Sequence, residues 1–323
     1  GMQLVKIGNE NLTVKLIPYG ARLIDIRLAS FNFPLILGYP NITDYHKDIA
    51  YLGAIIGRVA NRIHGAQAKI GGVIYTFDEN ECSKQTLHGG SKGCAFQNWK
   101  IKNISNTSVT FILDEPDGHM GFPGNMHFEV CYEINDRSRL QITIQAVADK
   151  DGICNLTSHP YFCLDNSGDI SAHELKINAS HYLPVNKLNI PIGKVNPVSN
   201  SQFDFLTPRS LAGIVKGTNQ SIDHNFCLND KRSTLREVAV LTSKLSKIKL
   251  NVLSTEAGLQ FYTGHHLLDT PPGYSNLPYT PFSGLCLEPQ GWPDAPNKEN
   301  FPSVFLPANT LYQQIICFEF TTS

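Results

Sequence analysis

Hydrophobic and polar residues alternate with a period of two in short segments from one end of the chain to the other. The clearest example is residues 140–146, which read Leu-Gln-Ile-Thr-Ile-Gln-Ala. Residues 12–16, 24–28, 248–252 and 314–318 show the same pattern. Because successive side chains of a β-strand point to opposite faces, the alternation predicts strands that bury one face and expose the other.

Turn-forming residues separate these segments, as at Gly71-Gly72 and Asp117-Gly118, with spacings that suit antiparallel connections. Helical patterns are scarce. The main candidate is residues 208–216, with Thr207 as N-cap and Gly217 just past the end. The pattern therefore predicts an all-β fold, a large antiparallel β-sandwich with few short helices.

No linker, charge block or change in composition marks a domain boundary along the chain. No fixed-period repeat indicates a propeller or a solenoid either. We therefore predict a single β-sandwich domain over residues 1–323. The alternative is a pair of smaller β domains divided near residue 150.

The composition is that of an ordinary globular protein, with 41% hydrophobic residues, 17% charged residues and a formal net charge of -1. Lysines and arginines are dispersed, which argues against binding to nucleic acid or to an anionic membrane. The most apolar run, residues 50–60, is too short to span a bilayer, and the first residues do not resemble a secretory signal. We expect a soluble protein whose partner is a neutral small molecule.

The chain has eight cysteines and no Cys-x-x-Cys pair. This usage is typical of a reducing cytosol, so we expect a cytoplasmic protein without a disulfide framework. Motifs for zinc and for phosphate loops are absent from the sequence, and adjacent histidines such as His265 and His266 on a strand would point to opposite faces. We therefore predict no metal and no cofactor.

The segment most informative about chemistry is residues 284–297, which read Gly-Leu-Cys-Leu-Glu-Pro-Gln-Gly-Trp-Pro-Asp-Ala-Pro-Asn. Glu288 closes an apolar run and is followed by Pro289, which restricts the backbone and bars a central strand from continuing. This segment resembles the C-terminal signature of the aldose 1-epimerase (galactose mutarotase) family. The resemblance implies a galactose mutarotase-like supersandwich in which Glu288 is the catalytic base.

Two segments in the first third of the chain are similar to the same family. Residues 57–63 read Gly-Arg-Val-Ala-Asn-Arg-Ile, and the resemblance implies that Asn61 and Arg62 contact a sugar. Residues 86–90 read Thr-Leu-His-Gly-Gly, and by the same resemblance His88 is a substrate-binding or auxiliary catalytic histidine.

A third segment, residues 156–164, reads Leu-Thr-Ser-His-Pro-Tyr-Phe-Cys-Leu and is similar to the family segment that carries the general acid. The resemblance assigns that role to His159, and Tyr161 would offer an apolar face to the sugar. Ser158, Pro160 and Cys163 depart from the family pattern at positions where sugar contacts are expected.

Two more segments complete the resemblance. Residues 222–228 read Ile-Asp-His-Asn-Phe-Cys-Leu, and the family aspartate, here Asp223, hydrogen-bonds a sugar hydroxyl. An ionised carboxylate accepts two hydroxyl donors at once, which suits a vicinal diol. Residues 258–264 read Gly-Leu-Gln-Phe-Tyr-Thr-Gly, and the resemblance places Gln260 near the base.

The resemblance implies an isomerase that interconverts the α and β anomers of free aldohexoses such as galactose or glucose through the open-chain aldehyde. His159 would deliver a proton to the ring oxygen while Glu288 removes one from the anomeric hydroxyl. Three alternatives remain open: a glycosidase using Glu288 and Asp223, a non-catalytic sugar-binding module, and an epimerase of hexose 6-phosphates. The preferred sugar and the choice between monomer and homodimer are also open.

Overall fold

The computed structural model describes residues 2–135 and 137–323. The described residues form twenty-five strands, and every sheet is built from antiparallel pairs. The largest sheet has nine strands, which lie in this spatial order: Arg209–Ser210, His173–Ile177, Arg236–Ser243, Ile248–Ser254, Tyr312–Thr322, Arg139–Ala148, Met126–Asn135, Ser108–Glu115 and Lys100–Ile104.

A five-stranded sheet carries several of the predicted site residues. Its strands lie in the order Asn196–Pro197, His181–Tyr182, Asp223–Cys227, Gly258–Tyr262 and Cys286–Gln290. A three-stranded sheet near the N-terminus contains Val5–Gly8, Leu12–Ile17 and Arg22–Leu28. Four two-stranded pairs complete the structure: Ile55–Ile56 with Thr157–Ser158, Arg62–Ile63 with Thr86–Leu87, Gln67–Ile70 with Val73–Thr76, and Gly152–Ile153 with Phe305–Leu306.

The burial of the long strands follows the sequence pattern. Side chains alternate between buried and half-buried along Met126–Asn135 and Arg139–Ala148. One buried cluster joins the nine-, five- and three-stranded sheets through residues such as Ile144, Leu259 and Val14. The predicted all-β sandwich is therefore confirmed, because the apolar faces of these sheets pack against one another.

The predicted helix at residues 208–216 is shorter than the sequence indicated. The α-helix spans Ala212–Lys216, with Leu211 rather than Thr207 at its N-cap. The helix begins late because Arg209–Ser210 pairs as a strand with the sheet. It ends as predicted at Gly217, which takes the left-handed conformation with φ of 82°.

The remaining helical segments are short 3₁₀ helices of three to six residues. They are Ile42–Lys47, His64–Ala66, Cys94–Phe96, His119–Gly121 and Ala295–Asn297. No helix within residues 2–135 or 137–323 is both long enough and apolar enough to cross a membrane. All eight cysteines are free thiols, and five of them are buried.

We propose that the chain forms one domain rather than two domains divided near residue 150. The nine-stranded sheet contains strands from both sides of that position, and Arg139–Ala148 pairs directly with Tyr312–Thr322. The buried cluster likewise draws side chains from both halves of the chain. A cut at residue 150 would divide one sheet and one core.

Candidate active site

The predicted site residues converge on one cavity with a volume of about 340 Å³. Seven of the eight line it: Asn61, Arg62, His88, His159, Tyr161, Asp223 and Glu288. They come from segments separated by more than two hundred positions, and the five-stranded sheet supplies only Asp223 and Glu288. Gln260 is the exception, because it is buried and is not among the residues that line the cavity.

Glu288 lies on the last strand of the five-stranded sheet, Cys286–Gln290, opposite Gln260 on the neighbouring strand. The sequence suggested that the strand ends before Pro289, but Pro289 lies within the strand. A proline is compatible with an edge strand because its missing N–H can face away from the ladder. Glu288 is only 2% exposed, so the strand holds a carboxyl group at the cavity wall with little access to water.

His159 faces Glu288 across a short gap. Nε2 of His159 lies 3.4 Å from Oε1 of Glu288, and His159 is 4% exposed. Within the described part of the chain this Oε1 has no hydrogen-bond partner, and its approach to His159 is a close contact rather than an aligned hydrogen bond. A nitrogen and an oxygen at this separation form a favourable contact only when one of them carries a proton.

Burial shifts the two pKa values in opposite directions. It raises the pKa of the Glu288 carboxyl well above its ordinary value, and the Asp223 carboxylate adds to this effect while Arg62 opposes it. Burial lowers the pKa of His159 to about 4. At a pH between the two pKa values, the pair holds one transferable proton, which either His159 or Glu288 can carry.

His88 offers a hydrogen-bond donor to the cavity. Its Nδ1 accepts from the backbone N–H of Asn61 at 3.0 Å, so Nδ1 is unprotonated and the neutral ring carries its proton on Nε2. Burial keeps the ring neutral by lowering its pKa well below the usual value, and the neighbouring His159 acts in the same direction. The two histidine rings meet edge to face with centroids 5.3 Å apart.

One ligand-type atom from each of His88, His159 and Glu288 lies within 4.8 Å of the others. No sequence motif indicates this grouping, because its three members lie far apart along the chain. A metal ion needs a free lone pair from each ligand, whereas Nδ1 of His88 is already hydrogen-bonded to Asn61 and Nε2 carries the proton. This donor set fits a hydrogen-bonding site better than a metal site.

Gln260 holds Asp223 rather than lining the cavity. Its Nε2 donates to Oδ1 of Asp223 at 2.8 Å, and its own Oε1 accepts from Gln290 at 3.4 Å. Gln260 therefore orients the Asp223 carboxylate, and Asp223 itself lines the cavity.

Arg62 is held by Glu81, which the sequence did not single out. The Nε and Nη2 atoms of Arg62 donate to the two carboxylate oxygens of Glu81 at 2.5 and 3.2 Å, so the guanidinium and the carboxylate form a bidentate ion pair. Burial lowers the pKa of Arg62, but the carboxylates of Asp223, Glu81 and Glu288 outweigh this and raise it. Asn61, beside Arg62, has φ of 64°.

Tyr51 is a second cavity residue that sequence reasoning missed. Its ring centroid lies 4.7 Å from that of His88 and 5.8 Å from that of His159. The loop that carries Tyr51 is anchored by buried Asp48, whose carboxylate accepts from Nη1 of Arg22 and from the hydroxyl of Tyr39, each at 2.8 Å. In sequence this region was only an apolar run, with no signal of a binding role.

The three departures from the family pattern lie away from the cavity. Ser158, Pro160 and Cys163 are buried and are not among the residues that line it. The expectation that they lie where a sugar makes contacts therefore has no support from the cavity. Ser158 and Pro160 flank His159 along an extended segment, where neighbouring side chains point to opposite faces.

The prediction that His265 and His266 lie on a strand is wrong. The strand ends at Tyr262, and His265 and His266 lie in the turn that follows, with ring centroids 4.3 Å apart. His266 lines the cavity, whereas Nδ1 of His265 lies 2.9 Å from the Thr263 hydroxyl.

The chain is similar to known proteins along almost its whole length. The family model described as aldose 1-epimerase matches residues 3–319. A galactose mutarotase from Homo sapiens is 36% identical over 90% of this chain and 84% of its own length, and an aldose 1-epimerase from Escherichia coli is 33% identical over 97% and 93%. The solved structure of a GalM/aldose epimerase homologue from C. elegans superposes with a TM-score of 0.92 at 29% identity, covering 100% of this chain and 99% of that one.

Proposed function

The chain belongs to the aldose 1-epimerase family and is an isomerase with aldose 1-epimerase function, and we propose that His159 and Glu288 are the proton-transfer pair with which it interconverts the anomers of free aldohexoses. The observation that carries this proposal is the 3.4 Å contact between Nε2 of His159 and Oε1 of Glu288 inside the cavity. Two buried groups with oppositely shifted pKa values are suited to exchanging one proton through a bound sugar.

The reaction needs one proton at the ring oxygen and the removal of another from the anomeric hydroxyl. In the reactive form the shared proton is on His159, which delivers it to the ring oxygen while ionised Glu288 accepts the hydroxyl proton. Rotation about the C1–C2 bond of the open-chain aldehyde then exposes the other face of the carbonyl. Ring closure reverses both transfers and restores the pair, so the cycle consumes no proton.

The remaining cavity residues would hold the rest of the sugar ring. Asp223 would accept hydrogen bonds from two hydroxyls, while Arg62, Asn61 and the Nε2–H of His88 would donate. Tyr161 would pack against the C–H face of the ring. The substrate is thus gripped away from C1, which leaves both anomers able to react.

The competing functions have less support in the cavity. A glycosidase needs two carboxyl groups as its reacting pair, whereas Glu288 is paired with a histidine. An epimerase of hexose 6-phosphates needs cations for a dianion, but the two cationic side chains that line the cavity are each paired with a carboxylate, Arg62 with Glu81 and Lys47 with Asp44. The free, largely buried cysteines support our proposal of a cytoplasmic location.

The proposed function is tested by polarimetry on freshly dissolved α-D-glucose and α-D-galactose after treatment of the protein with EDTA. We expect faster decay of optical rotation than with heat-inactivated protein, and the ratio of the two rates gives the sugar preference. Loss of activity on chelation that a divalent ion restores would refute metal-free acid–base catalysis. Release of monosaccharides from a disaccharide would instead indicate a glycosidase.

Asp223→Asn is expected to raise KM by about 10-fold with a smaller change in kcat, because a hydrogen bond to a charged acceptor contributes about 1.5–3 kcal/mol. The measurement is steady-state kinetics on the preferred sugar. Gln260→Ala is the matched variant and should reproduce part of the KM effect, since Gln260 orients the Asp223 carboxylate from behind. A large fall in kcat with unchanged KM would assign Asp223 to the chemical step.

A further inference from the structure

Cys286 lies on the same face of its strand as Glu288. The two residues are separated by one position, so their Cα atoms are ~6.7 Å apart along the strand and their side chains point the same way. The imidazole of His159 lies between them, with Nδ1 3.6 Å from Sγ of Cys286 and Nε2 3.4 Å from Oε1 of Glu288. One strand therefore contacts both nitrogens of the histidine.

We propose that Cys286 is a positioning residue whose sulfur accepts a hydrogen bond from Nδ1–H of His159 and thereby leaves Nε2 as the nitrogen that transfers the proton. This inference rests on the proposed role of His159 in the reaction. It assigns to the thiol the task that a backbone carbonyl or a carboxylate performs for many other functional histidines.

The direction of the hydrogen bond follows from the proton count of the pair. When the shared proton is on Glu288, Nε2 of His159 must accept it, so the ring proton is on Nδ1. When the shared proton has moved to Nε2, the ring is an imidazolium and Nδ1 is again protonated. Nδ1 therefore donates in both working forms, and Sγ of Cys286 is the acceptor.

The character of the acceptor suits the reaction. Cys286 is buried, and burial raises the pKa of its thiol well above the usual value, so the group is neutral. A neutral sulfur is a weak acceptor, which orients the ring without stabilising its charged form as a carboxylate would. His159 consequently remains a ready proton donor once it has been protonated.

The proposal is tested with Cys286→Ala and Cys286→Ser, compared with Cys154→Ala as a control that also removes a buried thiol but one whose sulfur makes no hydrogen bond to His159. Loss of a partner that orients a functional histidine is expected to lower kcat by about 10-fold in Cys286→Ala with little change in KM. The serine hydroxyl can still accept, so Cys286→Ser should recover most of kcat. Cys154→Ala should stay close to the wild type.

A spectroscopic readout separates positioning from a general loss of packing. In wild-type protein with ¹⁵N-labelled histidine, near neutral pH and without sugar, Nδ1 of His159 is expected to be protonated, and Cys286→Ala should show a new population with the proton on Nε2 only. An unprotonated Nδ1 in the wild type, or a Cys286→Ala variant with unchanged kcat and tautomer, would overturn the proposal. The tautomer of His159 in the wild type can be measured without sugar turnover, and the result does not depend on whether any variant folds. Failure of the wild type to interconvert anomers would instead refute the proposed function.

Discussion

Replacing Glu288 with glutamine is expected to lower kcat by ~10²-fold or more, because a positioned proton acceptor typically contributes ~10²–10⁴ in rate. Glutamine keeps the size and hydrogen-bonding capacity of the side chain but cannot take a proton from the anomeric hydroxyl. KM should change much less, because the sugar is held mainly by other residues. The measurement is polarimetric kinetics on the preferred aldohexose.

Glu256→Gln is the matched control for this experiment. Glu256 is also a buried glutamate, but it pairs with Arg232 and does not line the cavity. This variant should retain kcat even if its melting temperature falls. If Glu288→Gln kept near-normal turnover while Asp223→Asn abolished it, the role of base would move to Asp223.

His159→Asn is expected to lower kcat by a similar factor, ~10²-fold or more, because the ring oxygen loses its proton donor. Asparagine preserves polarity at the site but cannot deliver a proton at any accessible pH. His173→Asn is the control, since His173 is a buried histidine outside the cavity that accepts from the backbone N–H of Leu164. Equal losses in both variants would point to damaged folding rather than to lost catalysis.

The pH dependence of kcat/KM distinguishes the two partners. A pair with two protons lacks an acceptor and a pair with none lacks a donor, so activity requires the state with one proton. The second proton binds to His159, whose pKa is lowered by burial to about 4, while the shared proton is lost only above the raised pKa of Glu288. The wild type should therefore follow a bell across neutral pH, with both limbs belonging to the coupled pair.

His159→Asn should lose the bell and keep only a rise of kcat/KM with pH. In the variant Glu288 is the one member of the pair that still titrates, and its ionisation, at a pKa that burial raises well above the usual value, produces the base, so no basic limb follows. If the variant kept the complete bell at reduced height, another group would be the acid, and His88 is the neighbouring candidate.

The strands were predictable because their signal is local. Alternation along residues 140–146 reports which face of a strand is buried, and this holds whichever strand lies alongside. The helix boundary at residue 212 was not predictable, since it depends on Arg209–Ser210 pairing with a strand more than thirty positions earlier. Tertiary pairing overrode a local preference there.

The same division applies to the cavity. Sequence alone determined the strand pattern and, through motif resemblance, predicted His159, Glu288 and most of the residues that line the cavity with them. Only the tertiary structure decided that Gln260 hydrogen-bonds Asp223, that Glu81 pairs with Arg62, and that residues 158, 160 and 163 do not line the cavity.

The physical reason is the range of the interactions. Turn chemistry and alternation act between neighbours in the chain, so they can be read from a short window of residues. The contact of Cys286 with His159 joins residues 127 positions apart, and it exists only because the register of the sheet brings that face of the strand to the cavity. Burial, which shifts the pKa values of His159 and Glu288 in opposite directions, likewise arises only when the sheets pack.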